Sequence, residues 1–330
     1  MTVAITHTAA LSAFGVGTRG LARALEIGAP LAGMPPDAPL ANPRARKMMS
    51  RAAYLAARCL TDLVRETAWL DREAIGCYLG VGGSGGSIDD FIALLDVSIV
   101  DGAFSLPRFG ERGLAACNPL LAFQLMNNFT MCHGAILEGL RGPNSAFFSR
   151  GAGTVVALDE AVYAVQSGEC AHAITGGADA PTHPVAIAEL ARDGLLAQGL
   201  VAADGVALLA LAPSTAADDV IVERVAYTSG RARTDAIAEV ADRVAGRVDL
   251  VVLSAWGPPA NDALRAAAGA RFPTAALLDT APLGESLAAG AALAVCAAVD
   301  ALRDRAGRAV VLALGVDGDP CAVALSRGAA

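Results

Sequence analysis

Histidine and the aromatic residues are scarce in this chain of 330 residues: four histidines, with Phe, Tyr and Trp together at 5%. With so few rings the core must be filled by Ala, Val and Leu, which suits an α/β protein packed through small residues. Charge is sparse too, 18% against 54% hydrophobic residues, which excludes a disordered or solvating polymer. No basic stripe stands out and the formal net charge is -8, so no nucleic-acid partner is expected. The seven cysteines form no CxxC pair and are odd in number, which excludes a zinc knuckle and a disulfide framework. Most sit in apolar surroundings and read as small buried hydrophobes. The most apolar late stretch, Leu287 to Val299, is too short to span a bilayer. The opening run Val3-Ala4-Ile5-Thr6 lacks the basic and apolar regions of a signal peptide. The expectation is a cytoplasmic protein with no membrane segment, no metal and no cofactor.

What the chain does contain is an orderly series of elements. A helical pattern from Thr18 to Glu26 follows the opening strand, then a proline-rich loop from Pro30 to Pro43. Apolar residues at helical spacing (Met49, Ala53, Ala56, Leu60, Leu63, Val64) predict a helix over Lys47 to Trp69. Ile75 to Val81 reads as a strand running into Gly82-Gly83-Ser84-Gly85-Gly86, residues 101 to 119 as irregular loop, and Leu120 to Met131 as buried. Next come a turn at Gly142-Pro143-Asn144, a strand from Ser145 to Phe148 and a corner at Gly151-Ala152-Gly153. A helix from Thr154 to Ser167 closes at Gly168, and a strand from Ala171 to Thr175 ends at Gly176-Gly177, completing a βαβ unit with a buried helix. The second half repeats the theme. Strands are expected at Val206 to Leu211, Val220 to Ala226, Leu250 to Leu253, Ala309 to Leu314 and Cys321 to Leu325. Helices are expected at Thr234 to Ala245, 260 to 268 and Gly284 to Ala301. The similar order suggests an internal duplication, 1–185 and 186–330, within one integrated fold.

Three segments in this order resemble β-ketoacyl synthases of the thiolase superfamily. The first is Gly139-Leu140-Arg141-Gly142-Pro143-Asn144 with the stretch Ala157 to Ala180, and His133 stands where the family has an upstream histidine. The second is Val251 to Asp262, similar to the family's His-Gly-Thr segment, and the third is Leu283 to Ala294, similar to its Gly-His helix. Gly315-Val316-Asp317-Gly318 resembles the Gly-Phe-Gly-Gly gate loop. The resemblance implies a five-layer αβαβα arrangement of two related halves. It also implies shortening between Thr182 and Val206 and between Ala226 and Val248, where the family has loops that cover the active site.

The family's Claisen chemistry uses a cysteine thiolate and two histidines. The resemblance places Gly151 at the cysteine, Trp256 at the first histidine and Glu285 at the second, and Val316 at the gate-loop Phe. Glycine offers nothing to acylate, and Trp has no basic nitrogen. Each residue also has a plainer reading. Gly151 is read as a strained corner needing glycine's φ freedom, and Glu285 as a helix-start carboxylate or a repurposed base. Arg150 either binds a carboxylate or phosphate or pairs with Asp159 or Glu160. Ser149, Arg150, Glu285 and Val316 outline a repurposed pocket. Cys132 and His133 read as core.

Two further motifs are weak. Gly82 to Gly86 lacks the helix and acidic partner of a dinucleotide loop, and Gly284-Glu285-Ser286-Leu287-Ala288 lacks the last glycine of a nucleophile elbow. The leading expectation is a chain-length-factor-like partner of an active ketosynthase, with Leu120, Leu121, Phe123, Met126 and Phe129 flooring an acyl tunnel. A homodimer and an acyl carrier protein are the other partners considered. The alternatives are an acyltransferase or decarboxylase with altered chemistry, and a carrier-binding scaffold.

Overall fold

Strands form where Val, Leu and Ala run without charge. The computed structural model, which describes residues 1–328 except Ala41, Ser84 and 229–233, holds ten strands of four or more residues. The first five are β1 (Val3–Ser12), β2 (Ile75–Val81), β3 (Asn144–Phe148), β4 (His172–Asp179) and β5 (Gly205–Pro213). The second five are β6 (Val220–Tyr227), β7 (Leu250–Ala255), β8 (Ala276–Asp279), β9 (Gly307–Leu314) and β10 (Pro320–Arg327). Their spatial orders, β1-β5-β4-β2-β3 and β6-β10-β9-β7-β8, are the same order twice. In each series the first two pairings are antiparallel and the last two parallel. The series meet where Ala4 and Ile5 of β1 face Ile221 and Val220 of β6. Because β5 completes the first series, the crossover between halves lies after Pro213, past residue 185.

Among the described residues eight helices have nine or more residues: α1 (Arg51–Thr67), α2 (Ile88–Ser98), α3 (Phe129–Glu138), α4 (Gly153–Ser167), α5 (Pro184–Arg192), α6 (Thr234–Arg243), α7 (Pro258–Arg271) and α8 (Gly290–Asp304). Helices α1 and α3 cover the first sheet, α6 and α7 the second, and α4 and α8 lie between the two. The middle helices differ in kind from the outer ones. Every residue of α8 from Gly290 to Leu302 is buried, and six of these thirteen are Ala. A helix apolar on all sides belongs in an interior, and small side chains let both sheets approach it. Helix α1 is instead amphipathic, and it starts at Arg51 because Ser50 caps it, accepting from the Ala53 N–H at 3.2 Å.

Several expectations change. Strand β4 runs through Gly176 and Gly177 instead of ending there. A Cβ on Gly176 would lie 2.1 Å from the Ala207 carbonyl oxygen, and one on Gly177 2.1 Å from that of Ala288. These glycines serve close packing, not a turn. Residues 101–119 are a tight hairpin followed by short helical turns at Leu106–Arg108, Phe109–Gly113 and Leu114–Ala116. The helix expected from Gly284 begins only at Gly290, since Gly284 (φ 75) and Leu287 (φ 44) both hold left-handed backbone. The stretch expected to be buried is only partly so: Leu121, Thr130 and Met131 are covered, but Phe123, Leu125 and Met126 face outward.

Candidate functional site

Gly151 sits at the junction of β3 and α4, beside the loop that joins β9 to β10. It does not adopt positive φ, so conformational freedom is not why glycine is needed. The reason is contact. A Cβ on Gly151 would lie 2.5 Å from the Gly315 Cα, and one on Gly315 would lie 2.6 Å from the Gly151 Cα. Backbone touches backbone there, so the volume of a side chain at position 151 is already filled. Beside the contact is a void of about 10 Å³, whose lining includes Gly151, Ser254, Glu285, Leu287 and Gly315. That is at the lower limit for one water.

Arg150 locks this arrangement. Its guanidinium donates to Asp317 from Nη2 at 2.6 Å and Nε at 3.0 Å, and to Asp193 from Nη1 at 3.0 Å. The expected pairing with Asp159 or Glu160 is replaced by these two, because the 315–318 loop and the end of α5 both bring a carboxylate to it. Asp159 instead interacts with the Tyr227 hydroxyl. The Asp317 bond, then the Asp193 bond, outweigh partial burial and raise the Arg150 pKa. Val316 and Trp256 pack on a buried cluster of Leu190, Leu195, Leu200 and Leu287. Although short, the 184–200 segment is therefore itself a cover.

Glu285 is buried and lies before, not within, the helix. Burial pushes its carboxyl up to about 8; the Leu287 N–H opposes this and the nearby Asp179 adds to it. Burial likewise pushes Asp179 up to about 7. Trp256, Val201, Asn261, Gly284 and Glu285 help line an outer cleft of about 280 Å³. Glu285 is thus the wall shared by the cleft and the void. Gly151, Glu285 and Gly315 come together, whereas Ser149 lines neither space and its buried Oγ has no hydrogen-bond partner among the described residues.

The remaining candidates have local explanations. His133 is buried with Nε2 3.0 Å from the Met48 carbonyl oxygen, which fits its reading as core. In the Gly82–Gly86 loop, a Cβ on Gly82, Gly85 or Gly86 would strike Asp179, His183 or Leu121. Among the tunnel candidates only Leu121 is buried in this chain; Leu120 and Phe129 are half-buried, and the Phe123 and Phe129 rings meet edge to face at 5.3 Å. Reading the sequence missed Asp179, Asp193, Gly315 and Asp317 as structural partners. Only Asp179 carried a signal, an acid closing the apolar run Ile174 to Ala178.

Comparison with known proteins gives the family. The model of the β-ketoacyl synthase N-terminal domain matches residues 31–217. No curated protein matches the chain. Among solved structures, the ishigamide ketosynthase/chain length factor superposes with a TM-score of 0.79 at 21% identity, covering 100% of both chains. A type II polyketide synthase acyl-carrier protein in complex with its ketosynthase gives 0.78 at 13%, over 99% of each chain. A β-ketoacyl synthase from Burkholderia phymatum gives 0.76 at 15%, over 99% of this chain and 100% of the other. These likenesses establish the thiolase-like, five-layer α/β fold that the resemblance implied. With more than half of its length matched by the family model, the chain belongs to the β-ketoacyl synthase family.

Proposed function

We propose that the chain is a catalytically silent ketosynthase homologue that partners an active ketosynthase, in the manner of a chain-length factor, in cytoplasmic polyketide, aryl-polyene or fatty-acid-like biosynthesis. The observation that carries this reading is the backbone contact between Gly151 and Gly315. An acyl-holding thiolate needs a Cβ and space for the acyl group, and this site has neither. Trp256 and Glu285 reinforce the reading. Trp offers an N–H donor only, and a carboxyl held near 8 is largely protonated at neutral pH, so the pair cannot act as two imidazoles do.

The outer surface supports a partner. Strand β3 is the open edge of the first sheet, and Phe104, Leu106, Phe123, Met126 and Phe148 are exposed on it or on the 99–126 segment. Apolar side chains beside an unpaired strand edge call for a covering protein. We assign that place to an active ketosynthase, forming a heterodimer, with an acyl carrier protein as the further partner; a homodimer is the competing assembly. Co-expression with a ketosynthase that carries the cysteine and both histidines tests it. A co-purifying heterodimer is expected; a stable homodimer that excludes the ketosynthase would count against the reading.

One observation favours a second reading, altered chemistry such as decarboxylation or acyl transfer. Glu285 borders an outer cleft large enough for a small ligand. Incubation with malonyl- and acyl-carrier protein, followed by intact-protein mass spectrometry, separates the two. Turnover that Glu285→Ala abolishes would replace the silent-subunit reading. A carrier-binding scaffold would instead bind carrier protein and recruit no ketosynthase.

A further inference from the structure

The outer cleft of about 280 Å³ beside Glu285 is walled by acceptors and one aromatic ring, with no base among them. Its polar side chains are the carboxyls of Asp262 and Glu285, the amide of Asn261 and the indole of Trp256; none of the residues lining it is Lys, Arg or His. Asp262 stands exposed on the first turns of α7, with no ion-pair or hydrogen-bond partner among the described residues. Arg265, three residues further along the same helix, pairs with Asp279 at 2.6 Å instead. The cleft therefore carries a negative charge that the chain itself leaves unbalanced.

Asn261 adds a second acceptor. Its Nδ2 donates to Asp279 Oδ2 at 2.6 Å, and since a carboxylate would repel an amide oxygen, this bond sets which way the amide faces. The remaining end, Oδ1, is buried and has no hydrogen-bond partner among the described residues. A buried acceptor without a partner calls for a donor. The cleft is also preformed. The Glu285 N–H donates to the Val201 carbonyl at 2.7 Å, and the Glu285 carbonyl accepts from the Ala203 N–H at 3.0 Å, so main-chain bonds hold its two sides together. An anion entering here would meet Asp262 with no counter-charge. A primary ammonium group brings a positive charge to Asp262 and to the indole, and three N–H donors to the acceptors around it.

We propose that this cleft binds a small primary aliphatic amine, its ammonium group held by Asp262, Asn261 Oδ1 and the Trp256 ring, and its carbon chain lying on Val201 and Pro258. This goes beyond the partner role and does not depend on it. The same charge pattern turns away malonyl groups, whose carboxylate finds no base in the cleft.

Titration of the whole chain with n-butylammonium chloride tests this, read by isothermal titration calorimetry and by indole fluorescence at physiological salt, where general attraction to an acidic protein is screened. Saturable binding is expected, with sodium butyrate and sodium malonate binding at least about tenfold more weakly. Asp262→Asn keeps the shape of an exposed residue and removes the charge, so it should weaken butylammonium about tenfold with Tm unchanged. Trp256→Leu keeps an apolar side chain in the leucine cluster and should weaken it to a similar degree. Glu169→Gln, an exposed acid beyond the far end of α4, should leave binding as it is. Absence of saturable butylammonium binding would overturn the proposal, and so would butyrate binding as tightly. An affinity that Asp262→Asn leaves unchanged, or that Glu169→Gln lowers equally, would do the same.

Discussion

Gly151→Cys puts back the residue that the family resemblance expects, and the contact geometry predicts damage without gain. The new Cβ would stand 2.5 Å from the Gly315 Cα and 3.3 Å from its nitrogen, so the obstacle is main chain, not the tip of a flexible side chain. Relief requires the 315–318 loop to retreat, but Arg150 ties it to Asp193 through Asp317. Overpacking of this kind costs about 2–3 kcal/mol. At about 2.1 cal/mol/K per residue, the unfolding entropy of the whole chain is about 0.7 kcal/mol/K, so Tm should fall by about 3–4 °C. Gly151→Ala should cost nearly as much, because the clash begins at Cβ. Arg150→Ala should lower the penalty of either substitution by freeing the loop, a non-additive result that a double-mutant cycle reads directly. Differential scanning calorimetry measures the stability change, and intact-protein mass spectrometry after incubation with acyl-carrier protein looks for acylation. An unchanged Tm together with an acyl adduct at position 151 would refute both the closed site and the silence inferred from it.

Other substitutions probe the surroundings. Arg150→Ala alone should cost about 1 kcal/mol, since its ion pairs are only partly shielded, and should speed proteolytic cleavage in the 315–319 loop. Trp256→Ala, which removes a half-buried ring from the leucine cluster, should cost about 2–3 kcal/mol and leave Trp69 as the one fluorophore of its kind. Met126→Asp and Phe148→Asp, at exposed positions, should change stability by less than about 0.5 kcal/mol yet abolish co-purification with a ketosynthase. Retained co-purification in both would move the partner surface elsewhere. In thermal scans, wild-type Tm should decline from about pH 5 to about pH 8 more steeply than that of Glu285→Gln and level off above that, because over this range the folded carboxyls still hold protons that the unfolded ones have lost.

The layers were legible because their signals are local. Ile75 to Val81 reads as a buried strand from its own residues, and α4 is bounded by glycines that its residues announce. Errors arose where a distant segment decides. Gly176-Gly177 looks like a strand end in sequence, yet Ala207 and Ala288 press on it from elsewhere in the chain and keep it extended within the sheet. Gly284 to Ala301 has helical composition throughout, but its first residues are captured by hydrogen bonds to Val201 and Ala203. At the site, the role of Gly151 was written in residue 315, and the partners of Arg150 lie 43 and 167 positions away. No periodicity reports such pairs. The apolar Leu120–Met131 stretch misled for another reason, since composition alone does not say whether the chain or a second molecule provides the cover.

The alanine-rich girth of α8 has a consequence for how the two halves can change. Its side chains act as a spacer of fixed thickness against both sheets at once, so enlarging Ala292, Ala294 or Ala297 would wedge the two apart together. Neither half can drift at this layer without its sibling drifting in step. Insertions and deletions are thereby steered to the outer skin, where a segment such as 184–200 can shorten and still find something to lie on.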